Sequence, residues 1–459
     1  MRRRDLLRAG AATLLPAAAG RVAGRSPTAT PTDRTDPAFD FLGRLPLPGA
    51  KELVVADGVA YVAVTDGFAT VDVSDPTDPA LLADRRDLLA DHPDGPLAVV
   101  HDGTVGGGHY AVAGPGEPRA GVPNAALVFD VGDPEDPRRV LAHETDFYHH
   151  NLATDGDTLF LCGNDGARNP LVCVDVGTGE ELGRWSLLDA DDRWRDVHHS
   201  LRQLHDVTVA DDVAYCSYWE AGTWLVDVAD PTTPEAITVL RGRNPASLAA
   251  LETDSAIRDE QFTLPGNDHY AVPQGPLVAL NEEAWAADSG ATAAAVGGVE
   301  LWDRRSRERL ARIEAPPTED PTHAGVWTTA HNFDYVDDRL YTAWYRGGVK
   351  VHDVADPEAP AQLAHWRDAS TTDFWTAQGA GGHLVASSWR DASADRPEQA
   401  AAIYTFPPEA PDPPSPTATA SSDPSTGTGG SDGDGAGPGA LAAAGAVGLA
   451  AWARRRLGD

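Results

Sequence analysis

Lysine is almost absent from this chain of 459 residues. Only Lys51 and Lys350 occur, and arginine supplies the other basic groups. In total, 36 Lys and Arg stand against 70 Asp and Glu, which gives a formal net charge of -34. Because so acidic a chain repels nucleic acid and anionic lipid, we expect neither as a partner.

Cysteine is scarce as well, with three residues in the chain. There is no Cys-x-x-Cys pair, no phosphate-binding glycine loop and no nucleophile elbow, so the sequence gives no sign of these redox, nucleotide or hydrolase sites. Cys162 and Cys173 fall on successive predicted strands. A cross-strand disulfide and two buried free thiols fit this spacing equally well.

No apolar run is long enough to span a bilayer comfortably. The start, "MRRRDLLRAG", has Arg3 and Arg4 ahead of a mildly apolar stretch and resembles a twin-arginine export signal over residues 1–30. The acidic composition resembles that of proteins from salt-in halophilic archaea. An ordinary acidic secreted protein is the alternative.

The C-terminal region has the composition of a tether. Residues 408–437 are rich in Pro, Thr, Ser, Gly and Asp, which predicts a disordered stalk because they cannot bury a core. Three arginines directly follow the apolar stretch from Ala440 to Ala453, which is shorter than the roughly 20 residues of a membrane helix. Over residues 438–459 this arrangement resembles archaeal C-terminal sorting signals, and a weak membrane anchor is the alternative. Either one predicts an extracellular protein attached to the cell surface.

Between these ends, a pattern of four short strands recurs about every 45–65 residues. Segments such as "HDVTVADDVAYCS" and "HNFDYVDDRLYTA" alternate apolar and polar residues around a turn, as in a β-hairpin. A third strand ends in Asp-Pro-x-x-Pro at Asp75, Asp133, Asp230 and Asp356. These turns precede a fourth strand that can lie at a free edge.

Seven such units predict an all-β fold, a seven-bladed β-propeller of four-stranded antiparallel blades, over residues 36–407. Their second strands centre near Tyr61, Tyr110, Phe160, Tyr215, Ala279, Tyr341 and Val385. The last unit has only three strands. We therefore expect an N-terminal strand within residues 36–49 to complete that blade and close the ring, which removes an exposed sheet edge.

The segments "FATVDVSDPTDP", "TWLVDVADPTTP" and "VKVHDVADPEAP" resemble the LVIVD repeat of extracytoplasmic β-propellers from archaea and bacteria. This resemblance implies the propeller fold and a location outside the cytoplasm. It implies no particular chemistry, because the family as a whole has no settled catalytic activity.

Four blades carry a histidine ten residues before the centre of the second strand: His150, His205, His269 and His331. Lys51 and Trp375 hold this place in the first and seventh blades, and the register of the second blade is uncertain near Pro96. Since the first strand of each blade lines the channel, we expect the four imidazoles to gather at one mouth. Imidazole binds Fe, Mn, Cu, Ni and Zn, so one transition-metal ion is a candidate cofactor.

A structural explanation of the same histidines remains open. Asn151, Asp206 and Asn332 follow three of them, and strand alternation predicts that these residues face the opposite side and cannot orient the imidazoles. The histidines would then be a repeated polar cap on the channel strands. His149, His198 and His199 lie in neighbouring loops, as surface residues or extra ligands.

Two functions follow from the sequence. The first is a monomeric binding or scaffold module that presents its channel mouth to a protein, a glycan or a small ligand, with the membrane contacted only through the C-terminal anchor. The alternative is a metal-dependent oxidoreductase or lyase-like enzyme that uses the four histidines. Trp219, Trp344 and Trp389, which follow second strands, are predicted to pack between blades rather than to bind sugars.

Overall fold

Seven separate four-stranded antiparallel sheets make up the fold. The computed structural model describes residues 39–409. The innermost strands of neighbouring blades contact each other in a closed cycle, so they line a central channel. This architecture confirms the predicted seven-bladed, all-β propeller.

The strands follow the chain from the inner to the outer edge of each blade. Blades 1 to 3 contain β2 Ala50–Ala56, β3 Val59–Val64, β4 Gly67–Asp72 and β5 Ala80–Arg86; β6 Asp102–Gly106, β7 His109–Gly114, β8 Ala125–Asp130 and β9 Arg138–Glu144; β10 Leu152–Thr154, β11 Thr158–Cys162, β12 Leu171–Asp175 and β13 Glu181–Trp185. Blades 4 and 5 contain β14 Leu204–Ala210, β15 Val213–Tyr218, β16 Gly222–Asp227 and β17 Glu235–Leu240; β18 Asp268–Gln274, β19 Leu277–Glu282, β20 Val299–Asp303 and β21 Glu308–Ile313. Blade 6 contains β22 Phe333–Val336, β23 Arg339–Ala343, β24 Val349–Asp353 and β25 Ala361–Trp366, and blade 7 contains β26 Asp373–Gly379, β27 Leu384–Arg390, β28 Ala402–Phe406 and, at its outer edge, β1 Gly43–Pro46.

The helices of the described residues are short and lie between strands. The α-helices are α1 Leu187–Ala190, α2 Pro245–Ala249 and α3 Asp254–Phe262. The 3₁₀ helices are Asp192–Asp196, His199–Arg202, Trp219–Ala221, Ala293–Ala295 and Pro397–Ala400. Within residues 39–409, no helix combines the length and the hydropathy needed to cross a membrane.

Turn chemistry explains where the strands end. At the end of β4, the Asp75 carboxylate accepts a hydrogen bond of 2.9 Å from the backbone N–H of Thr77, and Asp230 accepts one of 3.0 Å from Thr232 at the end of β16. The two Asp-Pro turns therefore close in the same way. In the β14–β15 hairpin, Asp211 and Asp212 both have positive φ, which matches the right-handed twist of the two strands.

The N-terminal strand closes the ring as predicted. β1 pairs antiparallel with β28, and Gly43 lies opposite Thr405 while Pro46 lies opposite Ala402. Phe39 is fully buried next to this strand, and its ring stacks on Phe406 with the centroids 5.6 Å apart. The two ends of the domain therefore hold each other in one sheet.

The core consists of apolar layers between neighbouring blades. One layer, for example, joins Val112 and Leu127 of blade 2 to Ala63 and Phe68 of blade 1 and to Leu97 in the segment between these blades. Because each blade has an apolar neighbour on both sides, no blade leaves a wide apolar face in water. The predicted signal over 1–30, the anchor over 438–459 and nearly all of the stalk over 408–437 lie outside the described residues.

Candidate metal centre at the channel mouth

One residue at or just before the start of each innermost strand reaches the same mouth of the channel. We call these seven residues the mouth ring: Lys51, His101, His150, His205, His269, His331 and Trp375. The four predicted histidines lie side by side. The ring centroids are 4.5 Å apart for His150 and His205, 4.0 Å for His205 and His269, and 4.4 Å for His269 and His331.

His101 is a fifth histidine of this ring, and the sequence pattern missed it. Its ring centroid lies 5.2 Å from that of His150 and 5.7 Å from that of Trp375. Counting back from the aromatic Tyr110 leads to the wrong residue. The observed pairing of Gly106 with His109 places Ala111, not Tyr110, at the equivalent position of the second strand, and His101 lies ten residues before it.

A β-bulge explains how consecutive residues can both face the channel. In β14 the pairing register shifts between Leu204 and Asp206, so the strict alternation of side chains fails there. Asn151, Asp206 and Asn332, which we expected to face the side opposite to the histidines, bond to side chains of other blades. The Asn151 amide donates to Asp206 at 2.7 Å, and the Asn332 amide donates to Glu52 at 2.8 Å.

Three mouth-ring histidines are fixed by backbone carbonyl groups. Their Nδ1–H groups donate to the carbonyl oxygens of the following residues: His150 to Gly116 at 2.7 Å, His205 to His269 at 3.1 Å, and His331 to Trp375 at 2.7 Å. Since a carbonyl can only accept, Nδ1 carries the proton and Nε2 of a neutral imidazole keeps its lone pair. Histidines that bind metals are commonly fixed in this way.

Burial keeps these imidazoles neutral. Removal from water lowers the pKa of His150, His205 and His331, and the positive charge that neighbouring histidines would carry lowers each further. The pKa of His101 is lowered for the same two reasons. At neutral pH these four histidines therefore offer unprotonated nitrogens, which is the form that binds metal ions.

His269 differs from its neighbours because its Nδ1 faces a carboxylate rather than a backbone carbonyl, at 3.3 Å from an oxygen of Glu283, and its Nε2 is buried without a hydrogen-bond partner. The residue is only 1% exposed, so water cannot readily replace the bond that Nε2 lacks. A buried imidazole nitrogen without a partner is uncommon and calls for an explanation.

Glu283, directly after β19, brings a carboxylate to this histidine. Burial would raise its pKa, but His269, His331 and the hydroxyl of Tyr345 together lower it to about 2, so the group is ionised. Tyr345 donates a hydrogen bond of 2.5 Å to Glu283. The backbone of Tyr345 has a φ of 47°, an unfavourable conformation for a bulky residue that the surrounding structure must hold in place.

His269, Glu283 and His331 form a group that could hold a metal ion. One ligand atom from each lies within 4.8 Å of the others. Two imidazole nitrogens and one carboxylate oxygen suit Fe²⁺ or Zn²⁺, and such three-residue sites leave positions open for water or a ligand. His150 and His205 are not members of this group, although the ring of His205 lies against that of His269. Coordination of one ion by all four predicted histidines stays a prediction.

A small cavity lies over the other side of the mouth ring. Its volume is about 210 Å³, and His101, His150, His205 and Trp219 contribute to its lining. A second layer lies one residue further along the inner strands, where Glu52, Asp102 and Asp206 line a chamber of about 160 Å³. Burial raises the pKa of all three carboxyl groups, and that of Asp102 reaches about 7.

The histidine pattern does not predict Glu283 or Tyr345, yet a related signal exists. Each lies fourteen residues after a mouth-ring histidine, just beyond the second strand of its blade, and Trp219 and Trp389 occupy the same position in blades 4 and 7. Trp344 is buried in a core cluster, as predicted. Trp219 and Trp389 contact mouth-ring residues: Trp219 lies against His205 of its own blade, and Trp389 lies against Trp375 and against Lys51 of blade 1.

The remaining candidates from the sequence lie outside the mouth ring. His149 is fully buried, and its ring nitrogen is bonded to the Thr145 hydroxyl at 2.7 Å. The rings of His198 and His199 are 4.5 Å apart and are not part of the group around Glu283. Of the two possibilities for the thiols, the structure shows Cys162 and Cys173 free and buried rather than bridged.

A model of the LVIVD repeat matches residues 49–84, which run from β2 into β5. A search of curated proteins gave no match. Among solved structures, the chain is similar to the computationally designed Ika8 protein, with 10% identity, a TM-score of 0.46, and coverage of 78% of this chain and 96% of that chain. The seven blades and the LVIVD match in the first of them support a role as a generic binding or scaffold module.

Proposed function

We propose that this protein is a metal-binding propeller that works outside the cytoplasm. His269, His331 and Glu283 hold one divalent transition-metal ion, Fe²⁺ or Zn²⁺, at the channel mouth. The open positions of the ion face a small ligand. Protein and glycan partners, and catalysis by this ion, stay predictions from the sequence.

The observation that carries this proposal is the environment of the buried imidazole of His269. Its Nε2 is buried without a hydrogen-bond partner, and its Nδ1 lies 3.3 Å from an ionised carboxylate. Leaving a buried polar group without a partner costs about 1–3 kcal/mol. A bound cation would supply the missing partner, and it would also balance the charge of Glu283. The fixed Nδ1–H group of His331 supports the same conclusion, because it directs an unprotonated Nε2 away from the backbone.

The location is supported by sequence features alone. The arginine pair at the N-terminus resembles an export signal that carries folded proteins, and the C-terminal stalk with its apolar end would tether the domain. We therefore propose that the propeller is exported in folded form and held at the cell surface. Cleavage of the first residues and the cell-surface position can be checked by N-terminal sequencing and by protease treatment of intact cells.

The test is the metal content of the full-length chain, purified without a histidine tag. We expect close to one equivalent of Fe or Zn by elemental analysis. His269→Gln and Glu283→Gln should each lose most of the metal, while His198→Gln, a change of the same kind outside the mouth ring, should keep it. Far-UV circular dichroism of each variant separates loss of metal from loss of folding. Metal retained by both site variants, with the fold intact, would refute the site.

A further inference from the structure

Lys51 brings a positive charge to the mouth ring at neutral pH, and it lies in an unusual setting. The residue is 5% exposed, and its Nζ lies 4.9 Å from the centre of the Trp375 ring and 4.6 Å from that of Trp389. Burial lowers its pKa to about 8, so it is mostly protonated at pH 7. The indole faces stabilise the cation in part.

No carboxylate pairs with this ammonium group. Among residues 39–409, no Asp or Glu forms an ion pair with Nζ and Nζ donates no hydrogen bond; Glu398, Asp373 and Glu117 act on the ammonium group only from further away. The nearby Arg390 differs, because it forms an ion pair of 2.6 Å with Asp373. In a chain with 70 acidic residues, a buried cation without an acidic partner is exceptional.

Lys350, the other lysine of the chain, shows what a structural lysine looks like in this fold. It is equally buried, and its Nζ lies 4.7 Å from the centre of the Trp344 ring. However, its Nζ also donates a hydrogen bond of 3.1 Å to the backbone carbonyl of Glu314. Both lysines therefore contact an indole ring, but only the ammonium group of Lys350 donates a hydrogen bond to a protein acceptor.

We infer that Lys51 binds the carboxylate of a small organic acid at the channel mouth, and that the rest of this ligand extends toward the metal site. The extension of the ligand toward the metal site rests on the proposed function, whereas the binding of a carboxylate by Lys51 does not. Trp375 links the two places, because its ring contacts both Lys51 and His331, whose centroid is 4.4 Å away. An ammonium and a carboxylate form a strong, charge-assisted hydrogen bond.

A singly charged carboxylate fits this mouth better than a phosphate. One lysine offers one positive charge, and the buried acids Glu52, Asp102 and Asp206 lie in the next layer of the channel. A phosphate, which places up to two negative charges on one group, would be repelled by any of these acids that is ionised, whereas a dicarboxylate places one charge at Lys51 and the other toward the metal ion. A carboxylic acid with a second oxygen group a few bonds away could also bind an open position of the metal ion, because carboxylate oxygen is a common ligand of such ions.

The experiment is calorimetric titration of the full-length chain with succinate at pH 7. Succinamide serves as the neutral probe of the same size, and phosphate and chloride as competing anions. We expect succinate to bind, succinamide to bind at least tenfold more weakly, and Lys51→Met to lose at least tenfold in succinate affinity. Lys350→Met is the matched control and should keep wild-type affinity. Equal affinity of Lys51→Met and wild type would overturn the inference, as would tighter binding of phosphate or chloride than of succinate.

Titrations of metal-loaded and metal-free protein distinguish this inference from the proposed function. If the chain binds no metal but its succinate affinity still depends on Lys51, the proposed function fails and the anion site stands. If the chain holds metal at His269 and Glu283 but succinate binding does not depend on Lys51, the anion site fails alone. Thermal unfolding of both lysine variants verifies that each is folded before titration.

Discussion

At the scale of single residues, the candidate metal site is built from two positions that recur in the blades. One position holds histidine in five blades, and the residue type at the other position differs from blade to blade. The histidines follow from the hairpin repeat, so equal spacing in the sequence predicts them. Glu283 and Tyr345 also occupy equivalent positions, but different residue types fill that position in other blades. A pattern search for one residue type therefore finds the first set and misses the second, although both come from the same geometry.

Tyr345 is a positioning residue in this account, because it touches Glu283 rather than the proposed ion. We expect Tyr345→Phe to lower metal affinity ten- to a hundredfold, the usual cost of removing a partner of a metal ligand. Competition with a metal-binding dye measures this affinity. Tyr335→Phe, which changes another buried tyrosine of the same blade, should leave it unchanged. Equal affinities for the two variants would contradict the role of the hydroxyl group.

At the scale of strands and blades, the repeat fixes the architecture but not the register of every hairpin. The number of blades, the Asp-Pro turns and the closing strand could all be predicted, because each depends on local alternation and turn chemistry. The register of blade 2 could not be read from its aromatic residue. Tyr110 is displaced by one position from the aromatic residues of other blades, whereas the Gly107–Gly108 turn, where both φ angles are positive, marks the true register.

Closure of blade 7 predicts that the N-terminal segment contributes to global stability. Phe39→Ala removes a fully buried ring that stacks on Phe406, and we expect it to lower the free energy of unfolding by about 3–5 kcal/mol. Phe41 is 40% exposed, so Phe41→Ala should cost less than half as much. Denaturant titration of the full-length variants measures both values. Similar losses for the two would show that burial beside β1 does not stabilise the ring.

At the scale of the whole molecule, the charge of -34 is the dominant property. Such a charge destabilises a compact chain through self-repulsion, and dissolved salt screens it. The sequence predicts this charge directly. It cannot predict that one cation in the channel is left without an acidic partner, because that depends on which side chains the fold brings near Lys51.

We therefore expect the thermal midpoint of the full-length chain to rise as KCl increases from 0.1 to 2 M. Most of the gain should occur below about 1 M, where the Debye length has already fallen to about 3 Å. Differential scanning calorimetry at several salt concentrations tests this. A midpoint that stays constant or falls would indicate that repulsion between carboxylates does not limit stability.

X-ray absorption spectroscopy of the metal-loaded, full-length chain tests the central claim most directly, because it reports the atoms bound to the ion. We predict imidazole nitrogen and carboxylate oxygen ligands at about 2.0–2.2 Å, with the imidazole contribution reduced in His269→Gln. A spectrum without imidazole ligands, or one that is identical in wild type and His269→Gln, would contradict a metal centre built on His269, Glu283 and His331.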